Sequence, residues 1–311
     1  MSSTDLLPSW REGSTRSTLL AFIEQADTIP AERRVAVFDN DGTLWCEKPN
    51  YTQLDFFVAE LRGALEEKPE LAERPEYAAI LKGNRSAMAE LGLERVAFAL
   101  VELFVGLTPE EFDQRVREFI MNTEHPELGA PYAKIIYQPM LELLELLGAH
   151  SFSTFIVSGG GTEFVRAISR QLYGVDPEGV VGSLVAYEYI RRDGVPALIR
   201  KAELQGAANE GPAKVEHIQS FLGRRPIFAA GNSAGDAEMM EYAAANDPGL
   251  ALLVNHDDGD REYSYESKAG TFAAAEAILE TASRLGWTVV SMQEDWTQVF
   301  STPAEGPRTS S

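Results

Sequence analysis

The chain alternates short apolar runs with longer segments in which apolar residues recur every three or four positions. Runs at 34–38, 154–157, 226–230, 250–254 and 287–291 are typical of buried strands. Helical spacing is found at 15–25, at 162–170 and in an alanine-rich stretch at 270–285. Strand-like runs at 184–190 and 195–199 flank the turn dipeptide Asp193-Gly194 and predict a hairpin. Because strands and helices alternate, we predict an α/β fold with a doubly wound, mostly parallel sheet.

Residues 51–150 depart from this alternation. They show helical spacing and no confident strand pattern, which predicts a helical insert of about a hundred residues. We therefore divide the chain into an α/β core at 1–50 and 151–301, the insert at 51–150 and a tail at 302–311. The Pro, Gly and Ser content of the tail predicts disorder. We interpret the aromatic residues Phe56, Phe57, Tyr132 and Tyr137 as the core of the insert.

Composition and charge narrow the classes of function. The formal net charge of -21 repels phosphate backbones and anionic lipids, so we expect no nucleic-acid partner and no membrane partner. The single cysteine, Cys46, excludes an intramolecular disulfide, and the four histidines lack metal-ligand spacing. No apolar run approaches the ~20 residues that span a bilayer, and no secretory segment is recognisable. We expect the protein in the cytoplasm.

Three predicted strands end in loops with candidate site residues, at Asp39, Ser158 and Gly231. In doubly wound sheets, ligands bind beyond the carboxyl ends of the strands. These three loops are therefore expected to form one site.

Asp39 and Asp41 carry the strongest chemical signal. Burying two carboxylates after a strand costs free energy unless they are paired or bind a metal. Carboxylate oxygens are ligands that suit Mg²⁺. A carboxylate held in this way can attack phosphorus, while a second acid protonates the leaving oxygen and later activates water. Gly42 allows the tight turn that follows. From the residues alone, an Asx-turn or a helix cap remains an equal alternative.

The segment Asp39-Asn40-Asp41-Gly42-Thr43-Leu44 resembles the first motif of the haloacid dehalogenase-like hydrolase superfamily, and the likeness covers residues 32–256. The resemblance implies that Asp39 is the nucleophile and that Asp41 is the second acid, which marks the phosphatase branches. It also implies a Rossmann-like core and a helical cap, like that of phosphoserine-phosphatase-like members, at 51–150. The implied activity is Mg²⁺-dependent hydrolysis of a small phosphorylated metabolite through an aspartyl-phosphate.

Phosphate-binding residues follow in the order that the resemblance implies. Ser158 and Gly159 match the second motif, where a hydroxyl and free N–H groups can cradle an anion. A Ser/Gly-rich turn is the alternative interpretation of that loop. The third motif is a lysine that stabilises charge on the phosphoryl group. Lys214 is the preferred candidate for it and Lys201 the alternative.

Asn232 and Asp236 match the fourth motif, so the predicted metal ligands are Asp39, Asp41, Asn232 and Asp236. The superfamily usually has Asp where this chain has Asn232. An amide oxygen can still ligate Mg²⁺, but it brings no charge. We therefore expect weaker metal binding, or a larger share of it for Asp236.

Several alternatives remain open at this stage. Glu47 either contacts a substrate amine or is a solvated charge. Gly231-Asn232-Ser233-Ala234-Gly235 also fits the nucleophile elbow of a serine hydrolase, with Asp247 and His256 following in triad order. A non-catalytic member that binds a phosphorylated ligand is a further hypothesis. A phosphotransferase has the same sequence features as a hydrolase, and neither the substrate nor the oligomeric state can be read from the sequence.

Overall fold

The fold was analysed in a computed structural model that describes residues 6–267 and 275–301. Its strands are β1 (Val35–Phe38), β2 (Ser153–Gly161), β3 (Val180–Ser183), β4 (Val185–Arg192), β5 (Val195–Leu204), β6 (Phe228–Gly231), β7 (Leu250–Asn255) and β8 (Thr288–Ser291). Six of them form one sheet in the order β3-β2-β1-β6-β7-β8. All five neighbouring pairs in that sheet are parallel. The predicted doubly wound α/β fold is confirmed.

Helices connect and flank the strands. They are α1 (Ser14–Ala26), α2 (Thr52–Glu67), α3 (Pro75–Leu81), α4 (Arg85–Leu91), α5 (Leu93–Glu102), α6 (Pro109–Asn122), α7 (Gln138–Ala149), α8 (Thr162–Tyr173), α9 (Pro212–Leu222), α10 (Ala237–Ala244), α11 (Ile278–Leu285) and α12 (Met292–Asp295). The helix predicted at 270–285 is observed as α11 from Ile278 onward, while residues 270–274 lie outside the described residues. The tail at 302–311 also lies outside them.

Two strands are longer than their apolar runs predict. β2 continues through its three glycines because Gly161 pairs with Ser183 of β3, after an irregularity that follows Val157. β5 extends to Leu204, which pairs with Val185 across the predicted hairpin. Partner strands supply these extra hydrogen bonds, so the apolar pattern of the strand itself does not reveal them.

The main sheet is buried on both faces, as its continuous apolar strands require. On one face, Phe38 and Phe228 pack with ring centroids 5.3 Å apart, and Phe22 of α1 joins them. The other face packs against a second cluster that includes Ile218 of α9 and Met239 of α10. This packing fixes the carboxyl ends of β2, β1 and β6 side by side.

Residues 51–150 contain α2 to α7 and no strand. A separate apolar cluster there includes Leu61, Tyr77, Ile80 and Val96. Phe56 of α2 joins this segment to the core, since its ring lies 5.5 Å from that of Phe164 in α8. α7 contacts β2 of the main sheet, whereas α5 and α6 contact β5 of the hairpin. In the two described ranges, no helix has the length and apolar character needed to cross a bilayer.

His125 ties the loop after α6 to the loop after β1. Its Nε2 donates to the Lys48 carbonyl at 2.6 Å, and its Nδ1 accepts from the backbone N–H of Leu128 at 3.1 Å. The ring must therefore be neutral, with its proton on Nε2. Burial lowers the pKa of His125 below its ordinary value of 6.5, in agreement with this geometry.

Protonation of His125 should therefore destabilise the fold. Because the folded-state pKa is lowered, this contribution to stability is complete above about pH 6.5 and is lost as the pH falls below that value. We expect the free energy of unfolding by urea to fall between pH 7.5 and 5.5, with His125 adding at most about 1.4 kcal/mol per pH unit. The His125→Gln variant should show a shallower pH dependence. An unchanged slope in that variant would contradict the assignment.

Candidate active site

The three predicted loops meet at one edge of the sheet because β2, β1 and β6 are neighbours. Asp39 follows β1, Asn232 follows β6, and Ser158 lies within the carboxyl half of β2. The Asp39 backbone N–H donates to the Ala230 carbonyl at 2.9 Å, which fixes the end of β1 against β6. Parallel pairing thus brings together residues that are almost two hundred positions apart in the chain.

Lys214 lies at the centre of this edge. Its Nζ is 2.6 Å from Asp39 Oδ1 and 2.6 Å from Asp236 Oδ1, and its side chain is 2% exposed. Burial alone would lower the pKa of Lys214, but the two carboxylates outweigh it and hold that pKa above its ordinary value. Lys201, the alternative candidate, lies on β5 and pairs with Glu203 at 3.2 Å. Of the two lysines, the structure places only Lys214 with the acids.

Asp39 is buried, at 6% exposed. Burial, followed by the negative charge of Asp236, raises the pKa of Asp39 well above its ordinary value, although Lys214 opposes the change. One lysine cannot neutralise two carboxylates. The site therefore keeps an excess of negative charge, which a cation would offset.

Asp41 occupies the wall of the same cavity. Its Oδ1 accepts a hydrogen bond from the indole Nε1 of Trp45 at 2.9 Å, which fixes the rotamer of the carboxyl group. The surrounding protein excludes water and raises the pKa of Asp41, while the bond from Trp45 opposes that shift. A raised pKa suits an acid that must carry a proton near neutral pH.

The glycine run of β2 forms a narrow recess beside the acids. Ser158 is fully buried, and its Oγ accepts from the Gly160 N–H at 3.0 Å. A Cβ on Gly160 would lie 3.2 Å from Ser158 Oγ and 3.9 Å from Asp41 Oδ2, so any side chain there would fill the recess. Gln53 of α2 accepts from the Gly161 N–H at 2.9 Å and closes one side. Ser158 and Gly159 thus border this recess, and the Glu210 carboxylate lies 3.1 Å from the position of a Cβ on Gly159.

Asn232 packs against the turn after β1. Gly42 has φ +74°, and a Cβ there would clash with the Asn232 amide, so only glycine fits. The amide nitrogen donates to Glu47 Oε1 at 3.2 Å and to Ser267 Oγ at 3.1 Å. The amide oxygen is 3.5 Å from Thr43 Oγ1, which is also 3.5 Å from Asp39 Oδ2. Asn232 therefore directs its oxygen toward Thr43, which lies beside Asp39, and its nitrogen toward Glu47 and Ser267.

Glu47 is not a solvated charge, so that interpretation is wrong. It is 5% exposed, lines the cavity, and accepts from the Tyr265 hydroxyl at 2.8 Å as well as from Asn232. Burial raises the pKa of Glu47. The neighbouring Lys48 ammonium lies 3.7 Å from this carboxylate, while the hydrogen bonds come from residues far away in the sequence, which the charge pattern could not reveal. Its contact with a substrate stays a prediction.

Both carboxylate oxygens of Asp236 are engaged within the chain. Oδ1 binds Lys214, and Oδ2 accepts from the backbone N–H groups of Asn232 and Ser233 at 3.1 and 3.0 Å. This geometry favours a role in holding Lys214 and the loop after β6. The ligand role that the sequence suggested for Asp236 stays a prediction.

The residues of the alternative serine-hydrolase triad have other partners. The Ser233 hydroxyl donates to Asp236 Oδ2 at 3.1 Å. His256 Nε2 bonds to the Gly42 carbonyl at 2.9 Å, and its Nδ1 lies 3.3 Å from Glu262. Asp247 precedes β7 and His256 follows it, so the two lie at opposite ends of that strand. This arrangement gives no support to a triad.

A divalent cation fits the chemistry of the described residues, with few protein ligands. Asp39 Oδ2, the Asp41 carboxylate and the Asn232 amide oxygen remain available, and these are hard oxygen ligands suited to Mg²⁺. Within the described ranges, no group of three His, Cys, Asp or Glu side chains could hold a metal by itself. The expected site would thus depend on water for much of its coordination, as Mg²⁺ sites commonly do.

Sequence reasoning missed several supporting residues. Asp41 accepts a hydrogen bond from Trp45, and Glu47 accepts one from Tyr265. The Gly161 N–H donates to Gln53. Trp45 directly follows the first motif in the sequence, so its position was a signal that it could contact the acids. No sequence motif points to Gln53 or Tyr265, because only tertiary contacts bring them to the site.

Comparison with known proteins identifies the family. The model of the haloacid dehalogenase-like hydrolases matches residues 36–241. The chain belongs to this family. The match includes Asp39, Ser158 and Asn232, and it confirms the predicted superfamily and the prediction of a hydrolase. The comparison with curated proteins found no match.

Solved structures similar to this haloacid dehalogenase-like hydrolase include a conserved, functionally unknown protein from Anaerococcus prevotii. It is 15% identical over 91% of this chain and 92% of that one, with a TM-score of 0.58. A probable phosphoserine phosphatase from Vibrio cholerae is 18% identical over 88% and 75% of the two chains, with a TM-score of 0.42. A phosphoserine phosphohydrolase-like protein from Francisella tularensis is 19% identical over 81% of this chain and 99% of that one, with a TM-score of 0.41. Only the first is similar enough to bear on the fold.

Removal of the Lys214 charge should destabilise this hydrolase. The Lys214→Met variant leaves Asp39 and Asp236 facing each other in a buried site, and we expect a loss of about 3 kcal/mol in the free energy of unfolding at pH 7.5. The matched Lys201→Met variant changes an exposed lysine and should have an effect within about 0.5 kcal/mol. Equal effects of the two changes in urea unfolding would contradict the central position of Lys214.

Asn232 and Glu47 should be energetically coupled. The Asn232→Asp change places a second carboxylate against that of Glu47, so it should cost about 1 to 3 kcal/mol in the free energy of unfolding with EDTA present. Adding Glu47→Gln should recover most of this loss, because the Gln amide can donate to the new carboxylate. A double-mutant cycle measures the coupling. Additive effects of the two changes would show that the pair does not interact.

Proposed function

We propose that this protein is a Mg²⁺-dependent phosphatase that hydrolyses a small phosphate monoester through an aspartyl-phosphate on Asp39. The observation that carries the proposal is the arrangement of Asp39, Asp41 and Lys214 around one cavity. A held carboxylate, a second acid and a buried cation beside a glycine recess are the groups that phosphoryl transfer needs.

Asp39 would act through Oδ2, because its Oδ1 is bound by Lys214. The Oδ2 lone pair attacks phosphorus, the O–P bond to Asp39 forms, and the bond to the leaving oxygen breaks. Lys214 keeps the carboxylate in one orientation and offsets negative charge as the phosphoryl group arrives. The Ser158 hydroxyl, which accepts from Gly160 and can still donate, and the backbone of Gly159 would contact the phosphoryl oxygens.

Asp41 would transfer the protons. Its raised pKa favours the protonated form that donates to the leaving oxygen in the first step. It then accepts a proton from the water that attacks phosphorus, the Asp39–P bond breaks, and inorganic phosphate leaves. The hydrogen bond from Trp45 to Oδ1 leaves Oδ2 as the atom that carries this proton.

Mg²⁺, held by Asp39 and Asn232 with Asp41 and Asp236 nearby, would neutralise the excess negative charge and polarise the phosphoryl oxygens. Asn232 brings no charge of its own. The buried Glu47 carboxylate bonded to its amide restores negative charge close to the ligand position. We infer that Glu47 orients the Asn232 oxygen toward the metal and partly offsets the missing carboxylate.

We propose the helical segment at 51–150 as a cap over this site, on a core formed by 1–50 and 151–301. In support, α2, α4 and α5 supply cavity walls opposite the acids. Closure of such a segment would exclude water from the aspartyl-phosphate until the leaving group has departed. A small phosphorylated metabolite is the proposed substrate, and the cytoplasm remains the expected compartment.

The proposal is tested with 4-nitrophenyl phosphate. We expect turnover with Mg²⁺, a loss of at least about 100-fold with EDTA and a similar loss in Asp39→Asn, because removing the nucleophile or its cation removes the chemical step. Asp193→Asn, in the hairpin turn and outside the lining of the cavity, is the matched control and should keep full activity. Activity that survives both chelation and Asp39→Asn would overturn the proposal.

A serine hydrolase would behave differently in the same assays. It would lose esterase activity in Ser233→Ala and need no metal. If the protein instead only binds a phosphorylated ligand, inorganic phosphate would bind in titration calorimetry while no phosphate ester is turned over.

A further inference from the structure

The cavity of about 800 Å³ above Asp39 has two chemically different ends. The core end carries the acids, Lys214 and the glycine recess described above. The opposite end is formed by helices and is almost wholly apolar, with Leu54, Phe57, Met88, Ala89, Val96, Ala97 and Leu100 in its walls. Phe57, interpreted from the sequence as core, packs against the apolar clusters as expected, but it is only half-buried and also lines this cavity.

The apolar end is built on rigid elements. Leu54 and Phe57 lie one turn apart on α2, while Val96, Ala97 and Leu100 lie on one face of α5. Val96 and Leu100 are also members of the separate apolar cluster of this segment, against which Leu54, Phe57 and Met88 pack. The wall is therefore a continuous part of a hydrophobic core and has a defined shape.

The charges around the cavity are strongly asymmetric. Among the described side chains that line it, Lys214 is the one cation, and it is already shared by Asp39 and Asp236. Besides these acids and Asp41, two more carboxylates line the cavity. Glu47 accepts from Asn232 and lies 3.7 Å from the Lys48 ammonium, and Glu210 lies beside Gly159. An anionic group on the leaving-group side of a substrate would find no cation among the described lining residues there, in a cavity that five carboxylates line.

We infer that this site is selective for phosphate monoesters whose leaving group is apolar and carries no negative charge. The inference rests on the proposed phosphatase function and narrows it. The inferred selectivity disfavours phosphoserine and other phosphorylated carboxylic acids as substrates, although their phosphate group suits the core end of the cavity. An aryl or alkyl leaving group would bury its surface against α2 and α5 and displace water from that wall.

Two substrate comparisons test the inference on the wild-type protein with Mg²⁺. In the n-alkyl series ethyl, butyl and hexyl phosphate, kcat/KM should rise roughly threefold per added methylene, as apolar burial predicts. Phenyl phosphate should exceed 4-carboxyphenyl phosphate and O-phosphoserine by at least about 30-fold in kcat/KM. The carboxylate substituent makes the departing phenol slightly more acidic, so slower hydrolysis of that ester must come from the protein.

A variant tests the location of the selectivity. Ala97 is exposed on α5 and lines the cavity, so Ala97→Arg adds a cation to the apolar wall with little risk to the fold. We expect the preference for phenyl over 4-carboxyphenyl phosphate to shrink by about tenfold or more. The matched control is Ala59→Arg on the exposed side of α2, away from the cavity, and should keep the wild-type preference.

The outcomes separate the inference from the function on which it rests. If no ester in the set is hydrolysed in a metal-dependent, Asp39-dependent manner, the proposed function fails. If hydrolysis occurs but phosphoserine or 4-carboxyphenyl phosphate equals or exceeds phenyl phosphate, only the inference is overturned. A preference of about tenfold or more for 4-(aminomethyl)phenyl phosphate over phenyl phosphate would also overturn it, because the glutamates would then select a cation.

Discussion

The ion pairs of Lys214 with Asp39 and Asp236 hold the candidate site together. A lysine that is 2% exposed needs its charge compensated, and two carboxylates at 2.6 Å provide this. Asp236 in turn bonds the backbone of the loop after β6, while Asp39 directly follows β1. One buried cation thus links α9, β1 and β6. The two short contacts offset much of the cost of burying these charges, and the proposed purpose of the arrangement is phosphoryl transfer.

A second constraint concerns the distribution of negative charge. Asn232 lacks the carboxylate that the family usually has, yet its amide bonds the buried Glu47 carboxylate. Glu47 is also held by Tyr265, whose ring stacks on His256, and His256 bonds the carbonyl of Gly42 in the turn after β1. These contacts connect the loops after β1 and β7 around Asn232. They explain how a neutral side chain can keep one defined orientation at this position.

The cavity combines the acidic edge of the sheet with apolar walls from α2, α4 and α5. The two parts meet because Phe56 anchors α2 to Phe164 of the core, while the next residue, Phe57, faces the cavity. The core supplies groups suited to the reaction, and the helical segment supplies the shape and polarity of the remaining space. Substrate preference in this protein would therefore depend on the helices, and the chemistry on the sheet.

The sequence by itself determined the parallel sheet, the main helices and the candidates Asp39, Asp41, Ser158 and Asn232. Short apolar runs indicate buried strands, and apolar residues at helical spacing indicate helices. The loops that follow neighbouring parallel strands lie at one edge of the sheet, so their polar residues can be expected to share a site. It also ranked Lys214 above Lys201 from its place between motifs. Only the tertiary structure decided that Lys214 joins the acids, that Glu47 is buried against Asn232, and that Phe57 faces a cavity. Burial and long-range hydrogen bonds depend on which elements pack together, and a periodic pattern carries no information about such partners.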